Sequence, residues 1–178
     1  MCAITLNNNI LGSFTKQYDK IYDFDQIVYY DSTKETLELE ETLIDNGITN
    51  YSKIYSTIVY LNMPNGKNVH TYLYVGESDE INKIIHLYDL DGENYIFTKG
   101  VWSSCSYQEE FGTKVGENII FTDFSSRKHE IKVDGFFEYY LLNNLLIMDN
   151  ETFKEEFDTE FLPNAILLNS VLAILCIL

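Results

Sequence analysis

The side chains in this 178-residue chain with the chemistry for catalysis or metal binding are few and scattered. His70, His86 and His129 lie far apart, and none has a Cys, His or carboxylate neighbour at the spacing of a zinc site. They read as structural histidines. Asp89-Leu-Asp91-Gly92-Glu93-Asn94 gathers oxygens around a glycine. A calcium loop needs more ligands at alternating positions and a bidentate Glu further on, so a hairpin turn explains these residues better. Trp102-Ser-Ser-Cys105-Ser106 lacks the Gly-x-Ser-x-Gly elbow of a serine nucleophile and reads as a loop or strand end carrying a packed Trp. No phosphate-cradling glycine loop and no dinucleotide fingerprint occurs. These residues imply no cofactor, no metal and no catalytic residue.

Cys2, Cys105 and Cys176 are odd in number, widely spaced and free of any Cys-x-x-Cys pair, so neither a disulfide framework nor a zinc knuckle is indicated. A reducing, cytoplasmic setting is expected, because no basic region followed by an apolar run opens the chain. Met1-Cys2-Ala-Ile-Thr5 resembles the opening of the choloylglycine-hydrolase branch of the N-terminal-nucleophile hydrolases, which begin with Met-Cys. The resemblance covers these five residues. It implies that removal of Met1 exposes Cys2 as a nucleophile with its own amine as base. Those enzymes carry an arginine and an aspartate shortly after the nucleophile, whereas the first arginine here is Arg127.

Charge says more about partners. Twenty-eight Asp and Glu against twelve Lys and Arg leave a formal charge of −16, which repels phosphate backbones and anionic lipid surfaces. Arg127 is the sole arginine, so bidentate phosphate recognition is poorly served. A basic protein is the natural partner. The carboxylates concentrate between Asp19 and Asp45, and again between Asp149 and Glu160. Tyrosines interleave the first cluster. Tyr18, Tyr22, Asp23, Asp25, Tyr29, Tyr30 and Asp31 therefore form the expected partner-binding set, with Tyr as rigid contact area and carboxylates as pairing groups.

The elements that position these residues are expected to form one α+β domain. Hydrophobic content of 46%, with 14 Tyr and 11 Phe, supports a packed core. Ile21–Tyr30 has strand composition, and Thr36–Glu40 alternates like a strand. Ser32-Thr-Lys-Glu35 also admits a capping box opening a helix through Ile44, closed by Asn46-Gly47. Hairpins are expected across Pro64-Asn65-Gly66-Lys67, across Asp91-Gly92 and across Ser125-Ser126-Arg127, making an antiparallel β-meander over about 20–133. Beyond it, Phe136–Met148 reads as a buried helix, 149–161 as an amphipathic helix capped at Asp149-Asn150, and Ala165–Leu178 as an apolar core helix. A helical C-terminal third (about 135–178) thus covers the meander.

The reading that follows is a non-enzymatic acidic binding protein that neutralises a basic partner, in the manner of an immunity protein or a virus-encoded inhibitor. A lipid-associated protein using Ala165–Leu178 is an alternative, disfavoured by the length of that run and its acidic flank. A Cys2-dependent hydrolase is the other.

Overall fold

The structure is a computed structural model that describes residues 12–33, 37–141 and 144–169. Helical residues 12–16 run into a π-wound turn, α1 (Gln17–Ile21), and then a short strand, β1 (Gln26–Tyr29). Helix α2 (Leu37–Asp45) occupies the stretch expected as a strand at Thr36–Glu40. The helical alternative forms because Leu39 and Leu43 fall on one face at four-residue spacing and pack against Ile166 and Leu168. Gly47, at φ +76°, follows the helix.

The first hairpin forms as read: β2 (Tyr51–Asn62) and β3 (Asn68–Gly76) pair from Tyr55–Val75 to Asn62–Asn68. Its turn uses Gly66 at φ +81°, and Asn65 Oδ1 accepts from the Lys67 N–H at 3.0 Å. The sequence places the strands of the Asp91-Gly92 hairpin at Lys83–Leu90 and Tyr95–Thr98, but helix α3 (Ser78–Ile84) takes Lys83 and Ile84, and the hairpin shrinks to β4 (Leu87–Tyr88) and β5 (Asn94–Tyr95). Next come β6 (Val101–Ser104), α4 (Cys105–Phe111) and the third expected hairpin, β7 (Asn118–Thr122) with β8 (Lys128–Lys132).

The C-terminal third departs from the helical expectation. The stretch expected as a helix at Phe136–Met148 instead contributes to β9 (Gly135–Phe137) and β10 (Asn144–Asp149), with α5 (Asn150–Phe157) after them and then β11 (Ala165–Leu168). Leu145–Met148 and Ala165–Leu168 are buried on both faces. A strand covered on both sides reads as a continuous apolar run, which sequence periodicity does not separate from a buried helix. The rest of the terminal run, 170–178, lies outside the described residues.

Among the described residues, nine strands build one mixed sheet in the order β1-β11-β2-β3-β10-β6-β9, with β7 and β8 continuing from β2. It is not the antiparallel meander expected, because β10 runs parallel to β3 and β9 parallel to β6. Both pairings join segments distant in sequence, to which no turn motif points. On one face, Phe153 and Phe157 of α5 and Tyr107 of α4 pack over Val59, Leu61, Leu73, Val75, Leu146 and Met148. On the other, α1 and α3 supply Ile21, Ile81 and Ile84 to cover Ile54, Tyr74, Leu145, Ile147 and Leu167. A large apolar side chain buried this way contributes about 1.5–3 kcal/mol.

Asp149 locks the join between β10 and α5. Its Oδ1 accepts from the Glu151 and Thr152 N–H groups at 3.0 Å, and its Oδ2 from Thr152 Oγ1 and the Gly100 N–H. Burial alone would raise its pKa, but these hydrogen bonds outweigh burial and hold the carboxyl below the ordinary aspartate value. A depressed folded pKa gives stability that is present above the unfolded value, about 3.9, and lost as pH falls through the folded one. Asp149→Ala should cost about 2–4 kcal/mol at neutral pH in denaturant unfolding, from a lost cap and an unpaired Gly100 N–H. The gap to wild type should narrow as pH falls below about 4, where the unfolded aspartate takes up a proton that the folded one still resists, and close only below the folded pKa.

Candidate functional site

The α1–α3 layer covers only half of its face. Strand β2 carries Ser52, Ile54, Ser56, Ile58 and Tyr60 on that side, since alternate residues share a face. Ser52 and Ile54 lie under the layer, and Ser52 Oγ donates to the Glu80 carbonyl at 2.7 Å. Ile58 is 43% exposed and Tyr60 37%. Across the register their neighbours are Tyr72 and His70 of β3, and the Tyr60 and His70 rings meet edge to face at 4.7 Å. Tyr29 of β1 and Phe124, just beyond β7, complete the border at 58% and 73% exposure. Together these residues line a groove of about 430 Å³.

The groove exists because two strands stop short on the same edge of β2. Strand β11 pairs with Tyr51–Ile54, and β7 with Tyr60–Asn62. Pro163 has no N–H to carry the β11 ladder further. At the other end Asp123 turns the chain: its Oδ1 accepts from the Arg127 N–H at 2.9 Å, and its Oδ2 from Arg127 Nε at 3.0 Å. His129 Nε2 lies 3.1 Å from the same oxygen, with its ring stacked 4.2 Å from that of Phe157.

Asn164 closes the β11 end. Its N–H donates to the Ile54 carbonyl at 3.0 Å although Ile54 is in register with Ala165, so two residues face one in a β-bulge. Its carbonyl accepts from the Tyr30 N–H at 3.0 Å. Its carboxamide pairs with Ser56 like a peptide group: Oδ1 accepts from the Ser56 N–H at 2.7 Å, and Nδ2 donates to the Ser56 carbonyl at 3.0 Å. The Tyr29 hydroxyl lies 3.2 Å from Ser56 Oγ above it.

The seven residues expected to bind a partner fall into different environments. Tyr29 borders the groove. Tyr30, next along the strand, points to the opposite face among the residues under α2, where burial and then the Glu40 charge raise its pKa. Tyr22 is buried, and its hydroxyl donates to that of Tyr139 at 3.0 Å. Burial, then the Tyr139 neighbour, hold Tyr22 well above an ordinary phenol, and Tyr139 is pushed up to about 12. Tyr18 is exposed, edge-on to Tyr22 at 5.8 Å. Asp23 accepts from Asn50 and Asn169, Asp25 is exposed, and Asp31 accepts from the Thr33 N–H and hydroxyl. Of the groove residues, sequence reasoning named Tyr29 as a contact and His70 only as a structural histidine. Ile58 and Tyr60 share a parity with Ser56 and Asn62, and no polar–apolar alternation sets them apart.

The residues weighed for catalysis are spread out. Cys2 lies outside the described residues. Cys105 is buried, and that burial raises its thiol pKa, which keeps it protonated. Trp102 sits in β6 against Gly135, where a Cβ would come within 2.6 Å of the indole. Asp89 accepts from the Asp91 and Glu93 N–H groups, as a turn aspartate does. Among the described residues, no group of three or more His, Cys, Asp or Glu side chains is placed to hold a metal ion, and no helix is long and apolar enough to cross a membrane.

No protein-family model matches the chain. It is 30% identical over 175 residues to a protein described as probable polyketide synthase 15 of Dictyostelium discoideum, a match that covers 86% of this chain. The match spans only 5% of the length of that protein. Among solved structures, the extracellular domain of the noncanonic ABC-type transporter YknZ from Gram-positive bacteria is similar at 10% identity, covering 83% of each chain with a TM-score of 0.48.

The Asn164–Ser56 pair tests how the groove is held open. Asn164→Asp keeps the acceptor for the Ser56 N–H and sets a carboxylate against the Ser56 carbonyl. It should cost about 1–3 kcal/mol at pH 7 in denaturant unfolding. Much of that loss should return near pH 4, where the protonated acid donates again. A loss equal at both pH values would show that the carboxamide donor does not matter.

Proposed function

We propose that this protein is a non-enzymatic acidic binding module that engages and neutralises a basic protein partner, with the groove between Tyr29, Ile58, Tyr60 and Phe124 as the contact. One observation carries the reading: half of a sheet face is left bare with its aromatic and aliphatic side chains toward solvent, on a chain of charge −16. Contiguous exposed apolar surface on a folded domain marks a place of contact. Exposed Tyr and Phe beside a groove are the residue types that anchor interfaces. The charge draws a basic partner to the molecule as a whole and discourages nucleic acid and anionic membrane. Tyr18 and Asp25 extend the contact on the α1–β1 side. An immunity protein or a virus-encoded inhibitor acting in the cytoplasm works in this way.

Immobilised full-length protein should capture proteins of net positive charge that are released by raised salt. Phe124→Asp, at an exposed position, should lower that capture about tenfold or more while leaving the unfolding free energy within about 0.5 kcal/mol of wild type, and Tyr60→Ala should lower it similarly at some cost in stability, since its ring also packs on His70. Capture that ignores both salt and these substitutions would sink the reading.

A second reading rests on the 30% identity to a polyketide synthase. In it the chain is a unit of a larger acyl-handling assembly, and the groove holds an acyl chain. Titration with octanoyl-N-acetylcysteamine, followed by tyrosine and tryptophan fluorescence, separates the two. Saturable binding lost in Phe124→Asp favours the acyl reading, and its absence leaves the protein partner.

A further inference from the structure

The bare edge of β2 inside the groove has a definite hydrogen-bonding demand. Ser56 turns both its N–H and its C=O toward Asn164. Backbone groups alternate sides along a strand, so Ile58 turns its N–H and C=O to the same edge, as does Tyr60, which is in register with Thr122. Ser56 is served by Asn164 and Tyr60 lies alongside β7. Among the described residues, Ile58 has no partner for either group on this edge. Phe124 would face Ile58 if the β7 register continued, but the Asp123 turn takes it away. A donor and an acceptor, side by side and one strand repeat from an identical pair that a carboxamide already satisfies, thus open into a groove walled by Tyr29, Tyr60 and Phe124.

The size of the opening selects the occupant. From Ser56 to Tyr60 is about 13 Å at 3.3 Å per residue, and both ends are taken. A strand of ordinary length, about 17–20 Å, does not fit between Asn164 and Thr122. A single side chain entering end-on does. We infer that the groove receives the side-chain carboxamide of a glutamine from the partner, whose oxygen accepts from the Ile58 N–H and whose NH₂ donates to the Ile58 carbonyl, repeating what Asn164 does at Ser56. The two methylenes of the glutamine pack between the Tyr29 and Phe124 rings. This inference rests on the groove being the contact surface proposed above.

Full-length ¹⁵N-labelled protein is titrated with three small probes, and the Ile58 amide resonance is followed. N-acetylglutamine N-methylamide supplies the carboxamide. The glutamate counterpart has the same shape without the donor and with a charge, and the methionine counterpart is apolar and of similar length. The glutamine probe should shift the Ile58 amide saturably and bind about tenfold or more tighter than either of the others, the factor expected when a desolvated donor or acceptor is left unpaired. Tyr29→Ala and Phe124→Ala should weaken the glutamine probe severalfold while leaving the rest of the spectrum in place, since both residues are exposed. Equal binding of all three probes would assign the site to the peptide group they share and overturn the inference. Preference for the methionine probe would assign it to apolar contact, and no shift at Ile58 would remove the site. The outcomes are separable from the partner reading. If Phe124→Asp abolishes capture of basic proteins while the glutamine probe leaves Ile58 unmoved, the docking surface stands and the carboxamide site falls.

Discussion

The far edge of β2 is the constraint from which the rest of the structure follows. A strand of twelve residues presents backbone groups on both edges, and each buried one needs a partner. Strand β3 serves one edge from Tyr55 to Asn62. The other is divided between β11, which pairs with its first residues, and β7, which pairs with its last, and the two do not meet. Asn164 spans the shortfall on the β11 side with its N–H, its carbonyl and both carboxamide groups, joining Ile54, Ser56 and Tyr30. One residue thereby sets where β1 and β11 dock and where the groove begins.

That division also explains the uneven cover of the sheet. The α4 and α5 layer lies over a face that β7 and β8 extend, and Phe153, Phe157 and Tyr107 reach most of it. On the opposite face the ten-residue helical run 12–21 and the seven-residue α3 pack over Ile54 and Tyr74, reach the near side of Tyr72 and leave Ile58 uncovered. Nothing in the local sequence of β2 compensates. Its apolar residues occupy both parities along the whole strand, as if both faces were to be covered. The groove is therefore a property of helix length and placement rather than of the strand that lines it.

Legibility in the sequence followed the range of the interactions. Pro64-Asn65-Gly66 and Ser125-Ser126-Arg127 declared their hairpins because a turn is decided by residues beside one another. Asp149 declared the start of α5 for the same reason, through bonds to residues two and three positions on. Strands β10 and β11 did not declare themselves. Leu145–Met148 and Ala165–Leu168 are apolar at every position, and only partners remote in the chain, β3 and β2, make them strands. The candidate site was hidden by the same distance. Tyr29, Ile58 and His70 come from three separate strands, and Phe124 from the turn after β7. Tyr29 was visible through its acidic surroundings, yet the alternation of β1 sends its neighbour Tyr30 to the other face. A cluster read along the chain is divided by a strand that a helix would have kept on one side.

The carboxylates have two kinds of work in this fold, and their count alone does not separate them. Asp149, Asp123, Asp89 and Asp31 are engaged in local caps and turns, where hydrogen bonds to backbone N–H groups consume their acceptor capacity. At least six of the twelve cationic side chains, Lys20, Lys53, Lys83, Lys99, Arg127 and Lys154, are held in ion pairs. Most of these pairs are at least partly exposed and add little stability, but they place much of the positive charge beside negative. What reaches solvent is a negative field spread over the molecule. Such a field acts at long range, falls with salt and governs the rate of encounter. A groove of Tyr, Ile and Phe acts only on contact, is indifferent to salt and governs how long a complex lasts. In the proposed reading the acidic composition therefore chooses the class of partner, and the gap in the β2 edge chooses the partner itself.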